Sequence, residues 1–322
     1  MNIKILMSTM NKKDIEELKL NEKNISNCII INQTKEQIKN IEKGDVVFYS
    51  YNEKGLAKSR NRLLEKIESD VDIGIITDDD VTFVKEYKDI VQKAYDTIKN
   101  ADIIIFKSLD ENGKDRRKYP SHNKELTRKE ILQVCSIEIT FRVLKIKDKV
   151  RFDERFGLGS RYKSGEENIF LLDCYNKGLK IYFYNEAINI HPKESTGAIW
   201  MEEDIYEKGA LFRRLYPKMC FFMVLPIAIL KRNICKTNIF NITKLLFKGI
   251  KEIKIREIHV VEKDEHLMEK EEKEDEITYY VDFDLIYNEN NEGITYNDGG
   301  DTRNFYLKKV KGEWKIISIG LL

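Results

Sequence analysis

An apolar segment that ends in three aspartates is the clearest candidate for chemistry in this sequence. The run 73–77 leads directly into Asp78, Asp79 and Asp80. Adjacent carboxylates repel one another unless a cation lies among them, and ligands of open α/β sheets bind at the carboxyl ends of strands. Oxygen ligands suit Mg²⁺ or Mn²⁺, which could bridge a diphosphate and stabilise it as it leaves. A solvated loop with helix-capping aspartates is the alternative interpretation.

Three further motifs flank the aspartates along the chain. Gly55-Leu-Ala-Lys-Ser-Arg60-Asn61 precedes them, and Gly165-Glu166-Glu167-Asn168 and Ile190-His191-Pro192 follow. Each motif also has an ordinary structural interpretation. Arg60 could be a surface cation at a helix start, the two glutamates could be stabilised by a helix macrodipole, and a lone histidine at a strand end is commonly structural.

The elements that must position these residues alternate in type over residues 1 to about 190. Short apolar runs at 3–7, 28–31, 46–49, 73–76 and 103–106 predict strands of an α/β sheet. An apolar stripe predicts a helix over 85–99. The spacing of Thr127 and Glu130 indicates a capping box, and a further helix is expected from 166 to 177, before Gly178 and a strand over 179–184.

The order of these motifs resembles glycosyltransferase family 2. That resemblance covers residues 1–217 and includes the segment Lys208 to Tyr216. It implies a GT-A nucleotide-sugar-binding fold, in which a Rossmann-like mixed sheet is flanked by helices.

The resemblance assigns a role to each acidic motif. Asp78 and Asp80 match the Asp-x-Asp motif, with Asp80 as a direct ligand of Mn²⁺ or Mg²⁺, Asp78 nearer the ribose and base, and Asp79 between them. His191 matches a histidine that completes metal coordination in some members. Glu167 matches the general base that takes the proton of the acceptor hydroxyl. Since it is one methylene longer than the usual aspartate, Glu166 remains open as the alternative base.

Donor and acceptor positions follow from the same resemblance. Polar residues at the ends of the first two strands, expected near the nucleobase, are Ser8, Thr9, Asn32 and Gln33, and Arg60 is expected at the diphosphate. A uridine nucleotide is the commonest donor type, so a UDP-sugar is expected. The loop with Gly157, Gly159 and Arg161 resembles the acceptor-side loop. The mechanism implied is an inverting displacement onto a glycan or lipid-linked acceptor hydroxyl.

The composition sets limits on partners and location. The formal net charge is only +1 over 322 residues, so nothing in the overall charge argues for nucleic acid. Five scattered cysteines without a Cys-x-x-Cys pair favour a reducing cytoplasm over a disulfide framework or a zinc site. The first residues enter an apolar strand and lack the pattern of a signal peptide.

Residues 218–256 change character. Met219 to Leu230 is an apolar run about 18 Å long if helical, too short to cross a bilayer core of about 30 Å. From Lys231 to Arg256 there are eight basic residues and one acid, Glu252, on a stretch with helical apolar spacing. Two interpretations are equally open: a helix on an anionic membrane surface, at the inner face of the cell membrane, or an ordinary helix packed on the catalytic domain.

The last part of the chain divides into two segments. Residues 257–276 are too acidic and polar to form a core, so we expect a linker or a solvated helix. Residues 277–322 predict three strands over 277–287, 305–310 and 314–319. This β-rich end resembles the last strands of a nuclear-transport-factor-like module of bacterial lipoproteins, as a fusion remnant or an accessory binding module.

Two rival functions remain. A nucleotidyltransferase also needs aspartates and Mg²⁺, but the sequence lacks the usual glycine-rich phosphate loop near its start. A non-catalytic sugar- or nucleotide-binding protein with a degenerate transferase fold is the second rival. The joint presence of Asp78, Asp80, Glu167 and His191 counts against it.

Overall fold

The computed structural model of this protein describes residues 1–192, 200–235 and 237–253 in full. It also describes the backbone of the strands at 259–260, 276–282, 303–310 and 313–321. The acidic segment predicted at 257–276 lies outside the described residues except at 259–260 and 276. The two described residues 259–260 form a strand there, which was not expected.

A mixed sheet of ten strands forms the centre of residues 1–192. The strands are β1 (Ile3–Met10), β2 (Cys28–Gln33), β3 (Ile41–Lys43), β4 (Val46–Tyr51), β5 (Ile73–Asp78), β6 (Thr82–Phe83), β7 (Ile103–Leu109), β8 (Lys124–Glu125), β9 (Ile139–Arg142) and β10 (Ile181–Ile190). Their order is β3-β4-β2-β1-β5-β9-β7-β10-β6, and β8 also pairs with β10. Strands β4, β2, β1 and β5 are parallel, so their carboxyl ends meet at one edge.

Helices cover both faces of this sheet, which is why its parallel strands are continuous apolar runs. The helices are α1 (Leu56–Lys66), α2 (Tyr87–Thr97), α3 (Arg128–Ile131), α4 (Val143–Ile146), α5 (Glu166–Asn176), α6 (Glu202–Leu215), α7 (Cys220–Lys231) and α8 (Ile239–Glu252). The predicted apolar stripe of α2 packs on one face through Val91, Ala94 and Tyr95. On the other face, α1 and α5 contribute residues such as Leu63 and Phe170. The capping box of Thr127 and Glu130 opens α3, as predicted.

Helices α6, α7 and α8 form a small core of their own. Ile205 of α6, Val224 of α7 and Leu246 of α8 are among its fully buried members. Two glycines allow α6 and α8 to touch through their backbones: a side-chain carbon at Gly249 would overlap the Tyr206 carbonyl oxygen, and one at Gly209 would overlap that of Leu246. The inner face of α8 therefore packs on α6, and both interpretations of this basic segment stay predictions. No helix within the described ranges has the length and apolarity needed to cross a bilayer.

The end of the chain contains a second, four-stranded sheet. Its strands are β11 (His259–Val260), β12 (Glu276–Asp282), β13 (Arg303–Val310) and β14 (Glu313–Leu321), paired antiparallel in that order. The predicted β-rich appendage is thus present. Its resemblance to a lipoprotein module stays a prediction.

Candidate active site

The predicted donor residues meet at one edge of the sheet because the strands that carry them are parallel and in register. Ser8 of β1 lies opposite Asp78 of β5, and Thr9 of β1 lies opposite Asn32 of β2. The chain then turns after each strand end, so polar side chains gather where the buried strands stop. This edge is the usual position of a ligand site in an open α/β sheet.

Arg60 joins the two acidic motifs of the sequence. Its guanidinium is 1% exposed, and it donates to Glu166 Oε1 through Nη1 at 2.9 Å and to Asp78 Oδ1 through Nη2 at 3.2 Å. Burial lowers the pKa of Arg60, but the charges of Asp78 and Glu166 outweigh it and leave that pKa above its usual value. Arg60 is therefore a fixed buried cation that brings the strand-end aspartates and the helix-opening glutamates into one site.

The two glutamates occupy different environments at the start of α5. Glu166 is buried, and its carboxyl group packs against Gly157, where a side-chain carbon would lie 3.0 Å from Cδ. Glu167 is half-buried. Desolvation raises the pKa of Glu167 to about 8, and repulsion by the neighbouring Glu166 adds to this effect. A carboxyl group that ionises near neutral pH is suited to accept and release a proton.

Asp80 and His191 lie together, although they are far apart in sequence. The Nδ1 atom of His191 donates to the Pro192 carbonyl oxygen at 2.7 Å, and its Nε2 atom lies 3.1 Å from Asp80 Oδ2, to which it donates when the ring is protonated. The hydrogen bond raises the pKa of His191 and lowers that of Asp80. The pKa of Asp78 is raised rather than lowered, because desolvation of its carboxyl group outweighs the attraction of Arg60.

The donor set fits a divalent cation only in part. Within the described ranges, no three His, Cys, Asp or Glu side chains form a group that could hold a metal ion. The predicted set of Asp78, Asp80 and His191 is thus not preassembled, because Asp78 faces Arg60. However, the Nδ1–H bond of His191 selects the tautomer whose Nε2 could bind a metal, and Asp80 is 57% exposed beside it. A diphosphate would supply further oxygen ligands.

Two lysines that sequence reasoning missed lie at the middle aspartate. Thr9 Oγ1 donates to Asp79 Oδ2 at 2.6 Å, Lys12 Nζ lies 3.4 Å from the same oxygen, and Lys23 donates to the Asp79 carbonyl oxygen. Lys12 could have been found because it follows the end of β1 within two residues. Lys23 gives no such signal, since its contact spans 56 residues of chain.

The side chains predicted to surround the nucleobase are buried and bonded to the protein. Ser8 accepts a 2.9 Å hydrogen bond from Ser59. The Asn32 side chain accepts a hydrogen bond from the Lys12 backbone N–H and donates one to the Lys12 carbonyl oxygen. The Gln33 side chain forms the same pair of hydrogen bonds with the backbone of Gly55. These residues therefore shape the loop after β1 and the start of α1. Direct contact with a base stays a prediction for all four.

The predicted acceptor loop packs against the start of α1. The Leu56 N–H donates to the Leu158 carbonyl oxygen at 2.8 Å, and a side-chain carbon at Gly159 would lie 3.3 Å from the Gly55 backbone nitrogen. Gly157 and Gly159 both have positive φ, which permits this close approach. Arg161 differs from the other predicted residues, because it forms an ion pair with Glu252 at the end of α8.

Solved structures of one protein are similar to this chain. A structure of TarS from S. aureus matches with a TM-score of 0.50 and 12% identity, covering 98% of this chain and 77% of that chain. TarS 1–349 matches with a TM-score of 0.48 and 17% identity, over 78% of this chain and 71% of that chain. Its complex with UDP-GlcNAc gives the same score and identity, over 78% and 72%.

The sequence comparisons add no relatives. No family model matches the chain, and no curated protein matches it either. The structural match confirms the predicted GT-A fold, a mixed α/β sheet flanked by helices.

Proposed function

We propose that this chain is a metal-dependent, inverting glycosyltransferase that moves a sugar from a UDP-sugar to a hydroxyl group of a glycan or lipid-linked acceptor. One observation carries the proposal: buried Arg60 holds Asp78 and Glu166 in a single site. A displacement at an anomeric carbon needs groups that stabilise the leaving diphosphate and, across the sugar from them, a base for the acceptor hydroxyl. The aspartates are proposed for the first role and the glutamates for the second.

On the donor side, Asp80 and His191 would hold Mn²⁺ or Mg²⁺, with Asp78 next to the ribose. When bound, the metal would neutralise charge that develops on the departing diphosphate. Lys12 lies in the same region, 3.4 Å from Asp79, and adds a fixed positive charge. Arg60 acts on this side through Asp78, because its buried guanidinium is already engaged.

On the acceptor side, Glu167 is the proposed general base. Its carboxylate takes the proton from the acceptor hydroxyl while that oxygen attacks the anomeric carbon and the bond to the diphosphate oxygen breaks. A single displacement inverts the configuration at that carbon. Glu166 is the positioning residue, since its carboxyl group is buried between Arg60 and Gly157 of the predicted acceptor loop. The raised pKa of Glu167 supports this division of roles.

The proposed setting is the cytoplasmic side of the cell membrane, in the synthesis of cell-surface polysaccharide. A lipid-linked acceptor would be reached there.

A thermal-shift panel tests the donor assignment. The protein is melted with UDP, GDP or dTDP, with and without Mn²⁺. A ligand at 100 times its Kd adds about 2.7 kcal/mol of stability, which gives a clear rise in melting temperature. We expect UDP with Mn²⁺ to give the largest rise, and Asp80→Asn to remove the part that depends on Mn²⁺. If no nucleoside diphosphate stabilises the protein under either condition, the donor proposal is wrong.

A further inference from the structure

The outer face of helices α7 and α8 combines apolar and basic side chains that the catalytic proposal does not use. Of the twelve large apolar side chains that are exposed within the described ranges, six lie between residues 219 and 240. They are Met219, Phe222, Leu225, Ile229, Leu230 and Phe240. We call these six, with the basic residues named below, the α7–α8 face.

The apolar residues of α7 form one continuous stripe. Positions 219, 222, 225, 226, 229 and 230 recur at three- and four-residue spacing and are all exposed, whereas Cys220, Val224 and Ala228 on the opposite side are buried in the small helical core. Phe222 is 81% exposed and Leu230 77%. A stripe of this size on a packed helix indicates a surface that binds an apolar partner.

Basic side chains lie at both ends of α7 and along α8. Lys218, Lys231, Arg232, Lys244, Lys248 and Lys251 are all exposed. Phe221 of α7 stacks with Phe247 of α8 at a ring separation of 6.2 Å, which joins the apolar helix to the lysine-bearing side of its neighbour. The one acid between residues 218 and 253 is Glu252, and it is neutralised by Arg161.

We infer that the α7–α8 face docks on an anionic lipid bilayer, with the apolar stripe in the headgroup boundary and the lysines on the lipid phosphates. Charge complementarity decides between this partner and a second copy of the chain. A two-fold contact would bring the same six cations of each copy together, which is unfavourable. An anionic surface attracts each of them, and a helix that lies in a membrane interface has an apolar side with lysines along its border.

Docking would orient the proposed active site relative to the bilayer. The backbone contacts at Gly209 and Gly249 fix α8 to α6. Glu252, at the end of α8, is bonded both to Tyr206 of α6 and to Arg161 of the predicted acceptor loop. A bilayer bound at this face therefore lies close to the acceptor side. This consequence rests on the proposed function and favours a lipid-linked acceptor, whereas docking itself does not depend on catalysis.

Vesicle sedimentation of the full chain tests the inference. Vesicles of phosphatidylglycerol with phosphatidylcholine are compared with phosphatidylcholine alone, at low and high salt. Replacing Lys244, Lys248 and Lys251 together by Gln should weaken binding to the anionic vesicles about 100-fold, at about 1 kcal/mol per charge. Phe222→Ser with Leu230→Ser should also release the protein. Both variants alter exposed positions, so their melting temperatures should match that of the unchanged protein.

Matched control variants change the same residue types elsewhere. Replacing exposed Lys85, Lys114 and Lys129 by Gln removes the same charge, and Leu144→Ser removes an apolar side chain that is 65% exposed. Neither should alter vesicle binding. Failure of the unchanged protein to bind anionic vesicles, or equal losses in the control variants, would overturn the inference. So would self-association that Phe222→Ser abolishes, because the face would then be an interface between copies. Binding needs no nucleotide sugar, so it can succeed or fail independently of transferase activity.

Discussion

The pH dependence of turnover is the sharpest consequence of the paired glutamates. With a pKa of about 8, Glu167 is only about one-tenth ionised at pH 7 and about nine-tenths ionised at pH 9. A general base acts in its ionised form, so kcat/KM should rise about tenfold between these two pH values. The profile of kcat/KM reports the ionisation of groups in the free enzyme.

Two substitutions separate the base from its neighbour. Glu167→Gln should lower turnover by about 100-fold or more and leave donor affinity nearly constant, because the base acts on the acceptor. Glu166→Gln should lower turnover less. It removes the negative charge beside Glu167 and leaves Arg60 with one acidic partner fewer. Both changes lower the pKa of Glu167, so the rise in kcat/KM should move to lower pH.

The assay is steady-state release of nucleoside diphosphate between pH 6 and 9 for these two variants and for Glu86→Gln, an exposed glutamate before α2 that should change nothing. This pH range brackets the Glu167 pKa of about 8. A flat kcat/KM profile in the unchanged protein would refute the reasoning. A rise in kcat/KM that disappears in Glu166→Gln but persists in Glu167→Gln, or a larger loss of turnover from Glu166→Gln than from Glu167→Gln, would make Glu166 the base.

Three further substitutions test the supporting structure. Asp80→Asn should abolish the Mn²⁺-dependent part of UDP binding in calorimetric titration. The melting temperature should not fall, since Asp80 is 57% exposed. Unchanged affinity for UDP with Mn²⁺ would contradict the metal assignment. Arg60→Met should destabilise the protein by about 3–5 kcal/mol in urea unfolding, because it leaves two acids in the site without their cation, whereas Arg62→Met at the surface should cost about 1 kcal/mol or less. Equal costs would show that the Arg60 bridge is not a major support. Gly249→Ala should lower the free energy of unfolding by about 1–3 kcal/mol, because the added methyl group forces α8 away from α6. Lys244→Ala, on the exposed side of α8, should leave stability nearly unchanged. If Gly249→Ala also left stability unchanged, the two helices would not be in backbone contact.

The fold was predictable because its strongest signals are local. Buried parallel strands are continuous runs of isoleucine and valine, the stripe of α2 has helical spacing, and the capping box fixes the start of α3. The short edge strands β3, β6 and β8 have two or three residues each, too few to show a period. The antiparallel β9 between β5 and β7 is also set by tertiary packing rather than by its own four residues.

The sequence predicted which residues belong to the candidate site, but it did not predict which side chains they contact. The resemblance placed Asp78, Asp80, Glu167 and His191 at strand and helix ends, and the structure brings Asp80 and His191 together. The burial of Arg60 could not be read from its neighbours in sequence. Its contact with Glu166 spans 106 residues and depends on how α5 docks beside α1. Likewise, no sequence motif around Arg161 predicted its ion pair with Glu252.

Release of nucleoside diphosphate from a UDP-sugar in the presence of Mn²⁺ tests the central claim most directly. A glycosyltransferase with this site should release UDP slowly by transfer to water, faster once a suitable acceptor hydroxyl is added, and hardly at all when Glu167 is replaced by Gln. Release of UMP with a sugar 1-phosphate in place of UDP would contradict the account, because the phosphoanhydride bond rather than the bond to the anomeric carbon would then be cleaved. So would tight binding of the UDP-sugar with no turnover at any pH between 7 and 9, the range chosen around the pKa of about 8 for Glu167.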